Sequence, residues 1–247
     1  MENSIYIGLS KQVALRNQMN VIANNVANMS TPGYRAQNMV FSEYINKSPN
    51  NPKVPVKDDI SQVLDVGHYQ NTAAGSMSQT GNPTDVALNG SGYFGIQTND
   101  GVMYTRAGNF QLNVNGELVT GAGNLVADTG GGTITVPDDS TEIRIDSKGV
   151  ISNQDGELGQ LMIVEFENEQ ELEAEGNGLY RAPEGTVFAE AAQTVAVQGM
   201  LEGSNVNPIL EMTRMIDVLR TYQSTQKMLQ DEHERQQGML ERIGKVS

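Results

Sequence analysis

Three groups of residues in this 247-residue sequence have types and spacings suited to chemistry, and each also has a structural explanation. Residues 90–95 (GSGYFG) match the G-x-G-x-x-G string of dinucleotide-binding loops. Such a loop binds pyrophosphate only where a strand ends and a helix begins, because the helix N-terminus must face the phosphates. The residues after Gly95 are typical of a strand and a turn. We therefore predict hairpin turns at these glycines and no bound cofactor.

A second group consists of six glutamates at every second position from Glu165 to Glu175. In one strand all six would share a face and repel one another. Carboxylates are calcium ligands, but the spaced Asp and Asn ligands and the fixed glycine of an EF-hand loop are absent from this segment. We predict a solvated edge or loop, whose charge also discourages pairing with other strands.

The third group is the set of residues used by hydrolases. His68 and His233 lie far apart in the sequence, and neither has a neighbouring pattern typical of a nucleophile motif. Nothing marks any two of the 30 acidic residues as a glycosidase pair. The sequence has no cysteine, which excludes disulfides and thiolate metal sites. The sequence thus predicts no enzyme, no cofactor, no metal site and no small-molecule substrate.

The overall charge and hydropathy restrict the classes of partner that the chain is expected to bind. A net charge of −14 opposes nucleic acid and anionic membrane surfaces, because phosphate binding requires clustered Lys and Arg. No apolar run approaches the roughly 20 residues that cross a bilayer. Residues 1–5 (MENSI) lack the basic region of a cleavable signal peptide, and no apolar stretch follows them. We expect neither nucleic-acid binding nor membrane insertion, and export, if any, by another route.

The elements that would position these residues differ between the ends and the middle of the chain. Residues 1–30 and 208–243 predict long helices with heptad stripes, whereas the middle predicts short strands broken by glycine turns. The predicted fold class is α+β, with long N- and C-terminal α-helices that form a coiled-coil-like layer and a central all-β domain. The predicted domains are a helical assembly domain (1–45 and 201–247), a proline-rich linker (46–60) and a β-rich domain (61–200).

The middle of the chain is divided by tight-turn dipeptides, at Asn89-Gly90, Asp100-Gly101, Asn115-Gly116 and Asp155-Gly156. The apolar-rich segments between them predict strands at 93–96, 102–104, 110–112, 116–119 and 161–164.

The first helix carries a seam of apolar residues at spacings of four and three. Its members are Leu15, Met19, Ile22, Val26 and Met29. Asn24, Asn25 and Asn28 lie outside that seam, in a part of the helix where asparagine is a mediocre helix former. Two interpretations remain open: a solvated final turn, or amides that bond to a second layer of packed helices.

The last helix has a marked start, because Asn207 suits the N-cap and Pro208 the first helical position. Its length of about 35 residues corresponds to roughly 50 Å, which is difficult to bury within one small domain. Packing between subunits is therefore favoured over packing on the β-rich body, and both remain open. One predicted register contains Met212, Met215, Leu219, Tyr222, Leu229, Leu240 and Ile243, with polar interruptions at Gln226, His233 and Gln236.

Several of these segments resemble the signatures of a known family. Residues 23–28 (ANNVAN) and 31–34 (TPGY) resemble the N-terminal signature of flagellar rod and hook axial proteins. Residues 199–208 (GMLEGSNVNP), with Glu211-Met212, match the C-terminal motif of that family. In the middle, residues 89–94 (NGSGYF) and 104–110 (YTRAGNF) resemble its central β signature.

This resemblance implies a structural subunit of the bacterial flagellar rod, within the basal body and the periplasm. In the family the terminal helices form the inner layer of a tube and the β domain an outer layer. The implied partners are proximal and distal rod subunits, copies of the same chain, and the flagellar type III export apparatus, which exports the chain unfolded without signal cleavage. The opening residues are most similar to proximal rod subunits, and a distal-type subunit is the alternative.

The resemblance also suggests an export motif at Phe41 and Ile45, for which the alternative is a buried turn beside the first helix. Two other classes of protein compete with the rod subunit. An enzyme acting on peptidoglycan would require a marked acid pair or metal site. An extracellular β-rich binding module would not require heptad helices at both ends.

Overall fold

The computed structural model describes residues 2–46, 60–137, 142–191 and 193–244. Two helices flank a largely β region, which confirms the α+β fold class. The chain divides into two compact units. The helical unit comprises Met1–Ala27, Gln37–Gln70 and Asn207–Ser247, and the β unit comprises Asn28–Ala36 and Asn71–Val206.

The helical unit contains two helices, α1 (Glu2–Ala27) and α2 (Pro208–Gly244). The predicted start of α2 is confirmed: Asn207 Oδ1 accepts a hydrogen bond from the Leu210 N–H at 3.2 Å. The Glu211 N–H bonds to the Asn207 carbonyl at 3.0 Å, so the first turn of α2 is capped as its sequence predicts.

The two helices pack against each other in an antiparallel arrangement. At one end, a Cβ placed on Gly8 would lie 2.6 Å from Leu229 Cδ2, so the backbone of α1 approaches that side chain closely. At the other end, Asn25 bonds to Glu211. The face of α2 that loses solvent exposure repeats at spacings of four and three, and its members are Glu211, Met215, Val218, Tyr222, Thr225, Leu229, Glu232 and Gln236.

The helical unit also contains a hairpin of strands β1 (Gln37–Asn46) and β2 (Ile60–Gln70). The strands pair antiparallel from Gln37 opposite Gln70 to Asn46 opposite Ile60, with a bulge after Val40. Most of the predicted proline-rich linker lies between these strands, at 47–59, and falls outside the described residues.

The β unit is built from short antiparallel strands. Its strands are β3 (Met77–Gln79), β4 (Val86–Asn89), β5 (Tyr93–Thr98), β6 (Gly101–Thr105), β7 (Gln111–Leu112), β8 (Leu118–Val119), β9 (Leu125–Val126), β10 (Arg144–Ile145), β11 (Val150–Asn153), β12 (Gly156–Gln160), β13 (Ile163–Phe166), β14 (Glu173–Gly176), β15 (Leu179–Arg181), β16 (Phe188–Glu190), β17 (Val195–Gln198) and β18 (Met200–Glu202).

The largest sheet has the order β14-β15-β6-β5-β9-β8-β7, and β13 pairs with both β5 and β16. A three-stranded sheet β10-β11-β12 and the pairs β17-β4 and β18-β3 complete the unit. The predicted strands at 93–96 and 102–104 are confirmed as β5 and β6. The predicted strand at 116–119 is shortened to β8, because Gly116 has a φ of +77° and belongs to a turn.

Two groups of side chains form the core of the β unit. The larger group is aliphatic, with Phe94 and Phe110 in edge-to-face contact at 5.0 Å between ring centroids. The smaller group is aromatic, and its rings meet at the steep angles typical of edge-to-face packing. That group contains Tyr93, Tyr104, Phe166 and Tyr180, with Leu172 and Val164.

The six alternating glutamates do not share one strand. Glu165 lies in β13, Glu169 and Glu171 lie in a short 3₁₀ helix (Glu169–Glu171), and Glu173 and Glu175 lie in the edge strand β14. Both glutamates of β14 are exposed, and Glu175 pairs with Arg181 at 2.6 Å. The prediction of a solvated edge or loop is therefore confirmed for Glu173 and Glu175 in β14 and for the exposed Glu167 and Glu171 outside the strands. It is wrong for Glu165 and Glu169, which are half-buried and accept hydrogen bonds from Thr194 and Tyr93.

Candidate assembly site

The predicted interface residues of α1 divide between the interior of the helical unit and its surface. Ile22 and Asn25 are buried, and Leu15, Met19 and Val26 are half-buried. Asn24 is exposed. The remaining two, Asn28 and Met29, follow α1 in the β unit, where Asn28 is half-buried and Met29 is exposed.

The predicted residues of α2 divide in the same way. Met215, Tyr222 and Leu229 are half-buried on the face toward α1, whereas Met212 and Leu219 are exposed. Leu240 and Ile243 lie in α2, but their side chains fall outside the described ones. The same holds for Phe41 and Ile45, which lie in β1.

Asn25 is the polar centre of the helical unit and is 1% exposed. Its Oδ1 accepts from the Gln37 N–H at 2.9 Å, and its Nδ2 donates to the Gln37 carbonyl at 2.8 Å. Nδ2 also lies 3.3 Å from Glu211 Oε2, and the other carboxylate oxygen of Glu211 accepts from Arg214 at 2.7 Å. The interpretation of a solvated final turn is thus wrong for Asn25, whose amide joins α1, β1 and α2.

Apolar side chains remain exposed on the outer faces of both helices. On α2 they lie at spacings of three and four, and on α1 they occupy the N-terminal half of the helix. A helical stripe with this spacing is the pattern that packs against another helix. We define the outer stripes as Ile209, Met212, Ile216 and Leu219 on α2, and Tyr6, Leu9 and Val13 on α1.

The β unit has a different centre, which we call the charge cluster: Arg35, Arg106 and Glu202. All three side chains are 3% exposed or less. Glu202 Oε2 accepts from Arg106 Nε at 2.9 Å and Nη2 at 2.7 Å. Oε1 lies 3.3 Å from Arg35 Nη2 and accepts from the Gly75 N–H at 2.9 Å. One buried carboxylate therefore satisfies two guanidinium groups.

Three further hydrogen bonds from the two guanidinium groups reach backbone carbonyls. Arg106 donates to Gly92 and, at 3.2 Å, to Leu88, and Arg35 donates to Ala73. Burial lowers the pKa of Arg106 and Glu202 opposes that effect. Within the described residues the Nε of Arg35 has no hydrogen-bond partner, so Arg106 is the better satisfied of the two arginines.

Asn205 joins three segments of the β unit that are remote in sequence. Its Oδ1 accepts from the Ala36 N–H at 2.7 Å, and its Nδ2 donates to the carbonyls of Asn71 and Ala73, each at 2.7 Å. The Asn205 N–H donates to the Tyr34 carbonyl at 3.2 Å. The segment 28–36, the start of the segment 71–76 and the segment 202–205 are therefore fixed to one another.

Two glycines allow close backbone contacts around the charge cluster. Gly33 has a φ of +67°, and a Cβ there would lie 2.4 Å from the Ala107 N atom. A Cβ on Gly75 would lie 1.9 Å from the Gly203 carbonyl oxygen. Any larger residue would separate the backbones, because the atoms in the way belong to the main chain.

Tyr93 and Tyr180 lie beside the charge cluster, and their surroundings do not favour ionisation of either phenol. The Tyr93 ring lies 5.7 Å from the Arg106 guanidinium carbon, and its hydroxyl donates to Glu169 at 2.8 Å. Burial, followed by Glu169, raises the pKa of Tyr93. Burial raises the pKa of Tyr180 to about 12, although Arg35 opposes that shift. Both phenols are therefore neutral at ordinary pH and serve as packing groups.

The residues for which the sequence predicts no catalytic or ligand-binding role lie in separate parts of the molecule. His68 and His233 are exposed in different parts of the helical unit. Residues 90–95 lead into β5, with Gly92 donating to Thr194 Oγ1 at 2.9 Å. Across the described ranges no three His, Asp or Glu side chains are placed to hold a metal ion. Within the same ranges no helix has the length and apolar character to span a membrane.

The charge cluster was missed by sequence reasoning, although each of its members lies in or beside a recognised segment. Arg35 follows TPGY, Arg106 is inside YTRAGNF, and Glu202 is inside GMLEGSNVNP. A signal was present, because each is a charged residue within a run of small, polar and apolar ones. That signal becomes informative only when Glu202 meets Arg106, 96 positions away, and Arg35, which is still more remote in the sequence. No local spacing reveals such contacts.

Comparisons with known proteins follow the same three segments. A model of flagella basal body rod proteins matches residues 5–35. A model of the D1 domain of the flagellar hook proteins FlgE/F/G matches residues 87–153. The C-terminal domain model of flagellar basal body rod FlgEFG proteins matches residues 197–242. Each matched segment contributes one member of the charge cluster.

Whole-chain comparisons agree with these matches. The chain is 36% identical to the flagellar basal-body rod protein FlgF of Caulobacter vibrioides, over 100% of both chains. It is 33% identical to FlgF of Mesorhizobium japonicum, over 93% of this chain and 92% of the relative. It is 35% identical to FlgG of Bacillus subtilis, over 93% of this chain and 94% of the relative.

The three family matches and the whole-chain relatives define a structural protein of the flagellar axis. The chain belongs to the flagellar basal-body rod protein family, and within it resembles FlgF. It is a structural subunit of the bacterial flagellar rod, in the basal body. Membership of this family supports assembly with other rod and hook subunits and with copies of itself.

Proposed function

We propose that this rod subunit polymerises through the outer stripes of α1 and α2, which pack against helices of neighbouring subunits in a coiled-coil-like layer. The observation that carries the proposal is the exposure of these side chains. On α2 the four members of the stripe are between 41% and 79% exposed, and on α1 the three members are between 44% and 59% exposed.

The geometry of the helices supports this division of roles. The face of α2 that contains Met215, Tyr222 and Leu229 is turned toward α1, so those predicted interface residues hold the helix pair together. Met212 and Leu219 project from a different face and are available to a partner. Burial of exposed apolar side chains between helices stabilises association by about 25 cal/mol per Å² of apolar surface removed from water.

The proposal extends to the predicted organisation and mechanism. The helices supply the assembly domain, the β-rich region forms an outer layer, and torque passes through packed helices without covalent chemistry. The chain reaches the periplasmic part of the rod through the flagellar type III export apparatus, without signal cleavage, and Phe41 and Ile45 serve as its export motif. The support for export is the resemblance of these segments to the family.

The test uses a double variant, Ile216→Glu with Leu219→Glu, in cells that lack the native subunit. Because charges in a dry helix–helix contact are costly, incorporation into isolated rods should fall at least about tenfold. Circular dichroism of the purified chain should remain unchanged, since both positions are exposed. The matched control is Ser224→Glu, on a different exposed face of α2. Normal incorporation of the double variant would contradict assembly through the outer stripe.

The same cells separate export from assembly. The amount of subunit secreted should be unchanged in the double variant but reduced in a Phe41→Ala, Ile45→Ala variant, with Ser42→Ala as its control. Undiminished secretion of that variant would contradict the proposed export role of Phe41 and Ile45, but it would not affect the assembly proposal.

A further inference from the structure

The charge cluster joins chain segments that are separated by most of the β unit. Glu202 meets Arg106 across 96 positions and Gly75 across 127 positions. Asn205 meets Ala36 across 169 positions. Contacts between such remote segments require closure of long loops before any stabilisation is gained, so they are slow to form.

The charges add a second reason for delay. Moving a guanidinium group out of water costs several kcal/mol unless a carboxylate accompanies it. Arg106 can therefore be buried against the Leu88 and Gly92 carbonyls only when Glu202 is in place. Arg35 depends on the same carboxylate, because the other group that its guanidinium bonds within the described residues is the neutral carbonyl of Ala73.

Backbone contacts make the same segments interdependent. The Gly33 N–H donates to the Glu202 carbonyl at 2.8 Å, and the Gly203 N–H donates to the Ser76 carbonyl at 2.8 Å. Neither 28–36 nor 71–76 belongs to the large sheet. The two segments bond to each other, with the Asn71 N–H donating to the Ala36 carbonyl at 2.8 Å, and both also bond to the segment 202–205. That segment emerges long after the other two when a chain is synthesised or threaded from its N-terminus.

We propose that the charge cluster, with Asn205, is a late-closing latch that completes the β unit only when the segment 202–205 arrives. Until then, β5 and β6 pair locally, while 28–36 and 71–76 are not yet fixed to the rest of the β unit. The β unit therefore completes its fold only late in the emergence of the chain. Once the latch has formed, it slows the unfolding of 28–36 and 71–76.

The first test follows refolding of the full-length, unaltered chain by pulsed hydrogen exchange. The expected order is protection of the β5 and β6 amides first, and of the Gly33, Gly75 and Gly203 amides last. Simultaneous or earlier protection of these glycine amides would overturn the proposal, since the remote segments would then belong to the folding nucleus.

The second test measures folding and unfolding rates of Glu202→Gln in the full chain. An interaction that forms after the transition state changes the unfolding rate and not the folding rate. Unfolding should accelerate about 100-fold, while the folding rate changes less than about threefold. The matched control is Glu175→Gln, which removes an exposed ion pair formed across only six positions and should change either rate less than about fivefold.

Slower folding with an unchanged unfolding rate would overturn the latch, and so would two unchanged rates. If Glu202→Gln does not fold, Asn205→Ala provides the same distinction without unpairing a buried charge. It should accelerate unfolding about tenfold and leave the folding rate unchanged.

Discussion

The helical unit and the β unit differ in what they bury and in what they leave exposed. The helical unit buries the carboxylate of Glu211 against the neutral amide of Asn25, and leaves apolar side chains of both helices in solvent. The β unit buries three charges around Glu202 and closes an aliphatic and an aromatic core over short strands. The first unit exposes apolar stripes along two helices, whereas the second pairs its buried charges internally and exposes apolar side chains such as Val114 and Val187 on loops and short strands.

The largest expected effect concerns the buried charges. Arg106→Met removes a guanidinium that bonds Glu202 and two carbonyls, so the free energy of unfolding of the β unit should fall by about 3–5 kcal/mol. Arg181→Met removes a partly exposed pair and should cost about 0–1 kcal/mol. Native-state hydrogen exchange, assigned to peptides of each unit, gives both values. Equal losses in the two variants would refute the importance of burial.

A smaller effect is expected at the centre of the helical unit. Asn25→Ala leaves the N–H and carbonyl of Gln37 without their side-chain partner, which should cost about 2 kcal/mol in the exchange of α1 and α2 amides. Asn20→Ala changes an exposed asparagine of the same helix and should stay within about 0.5 kcal/mol of the unaltered chain. If Asn25→Ala destabilises both units equally, the two units unfold together and do not have separate stabilising centres.

The smallest effect concerns the first turn of α2. Asn207→Ala removes the cap from the Leu210 N–H and should destabilise α2 by about 1 kcal/mol, as measured by exchange of the amides in its first turns. Asn207→Ser keeps an oxygen in position and should cost a few tenths of a kcal/mol. An alanine variant as stable as the serine variant would show that packing against α1, and not capping, determines where α2 begins.

The parts of the fold that were predictable depend on local physical chemistry. The start of α2 follows from a cap and a proline, and β5 and β6 follow from apolar segments on either side of Asp100-Gly101. The strand predicted at 161–164 is displaced by two residues to β13, with Leu161 in a single bridge to Asp128. Short strands leave such boundaries to tertiary contacts.

The parts that were not predictable depend on remote partners. Apolar content alone places Met212 and Leu219 in the seam of α2, yet the structure turns Glu211 and Val218 toward α1. Glu211 is buried there because Asn25 and Arg214 satisfy its carboxylate. The face of α2 that is turned toward α1 therefore depends on Asn25, a residue of the other helix. Asn25 was among the predicted residues, but its intramolecular partners were not.

The contact of Asn25 with Glu211 has a consequence for sliding of the two helices. Residues along a heptad face are nearly equivalent, so a shift of seven residues, about 10 Å, would preserve most of the apolar packing. Such a shift would place Asn25 opposite Val218 and leave the Glu211 carboxylate without the amide. A single polar pair therefore fixes the axial offset of α1 against α2. It also decides which turns of the longer helix extend past the shorter one.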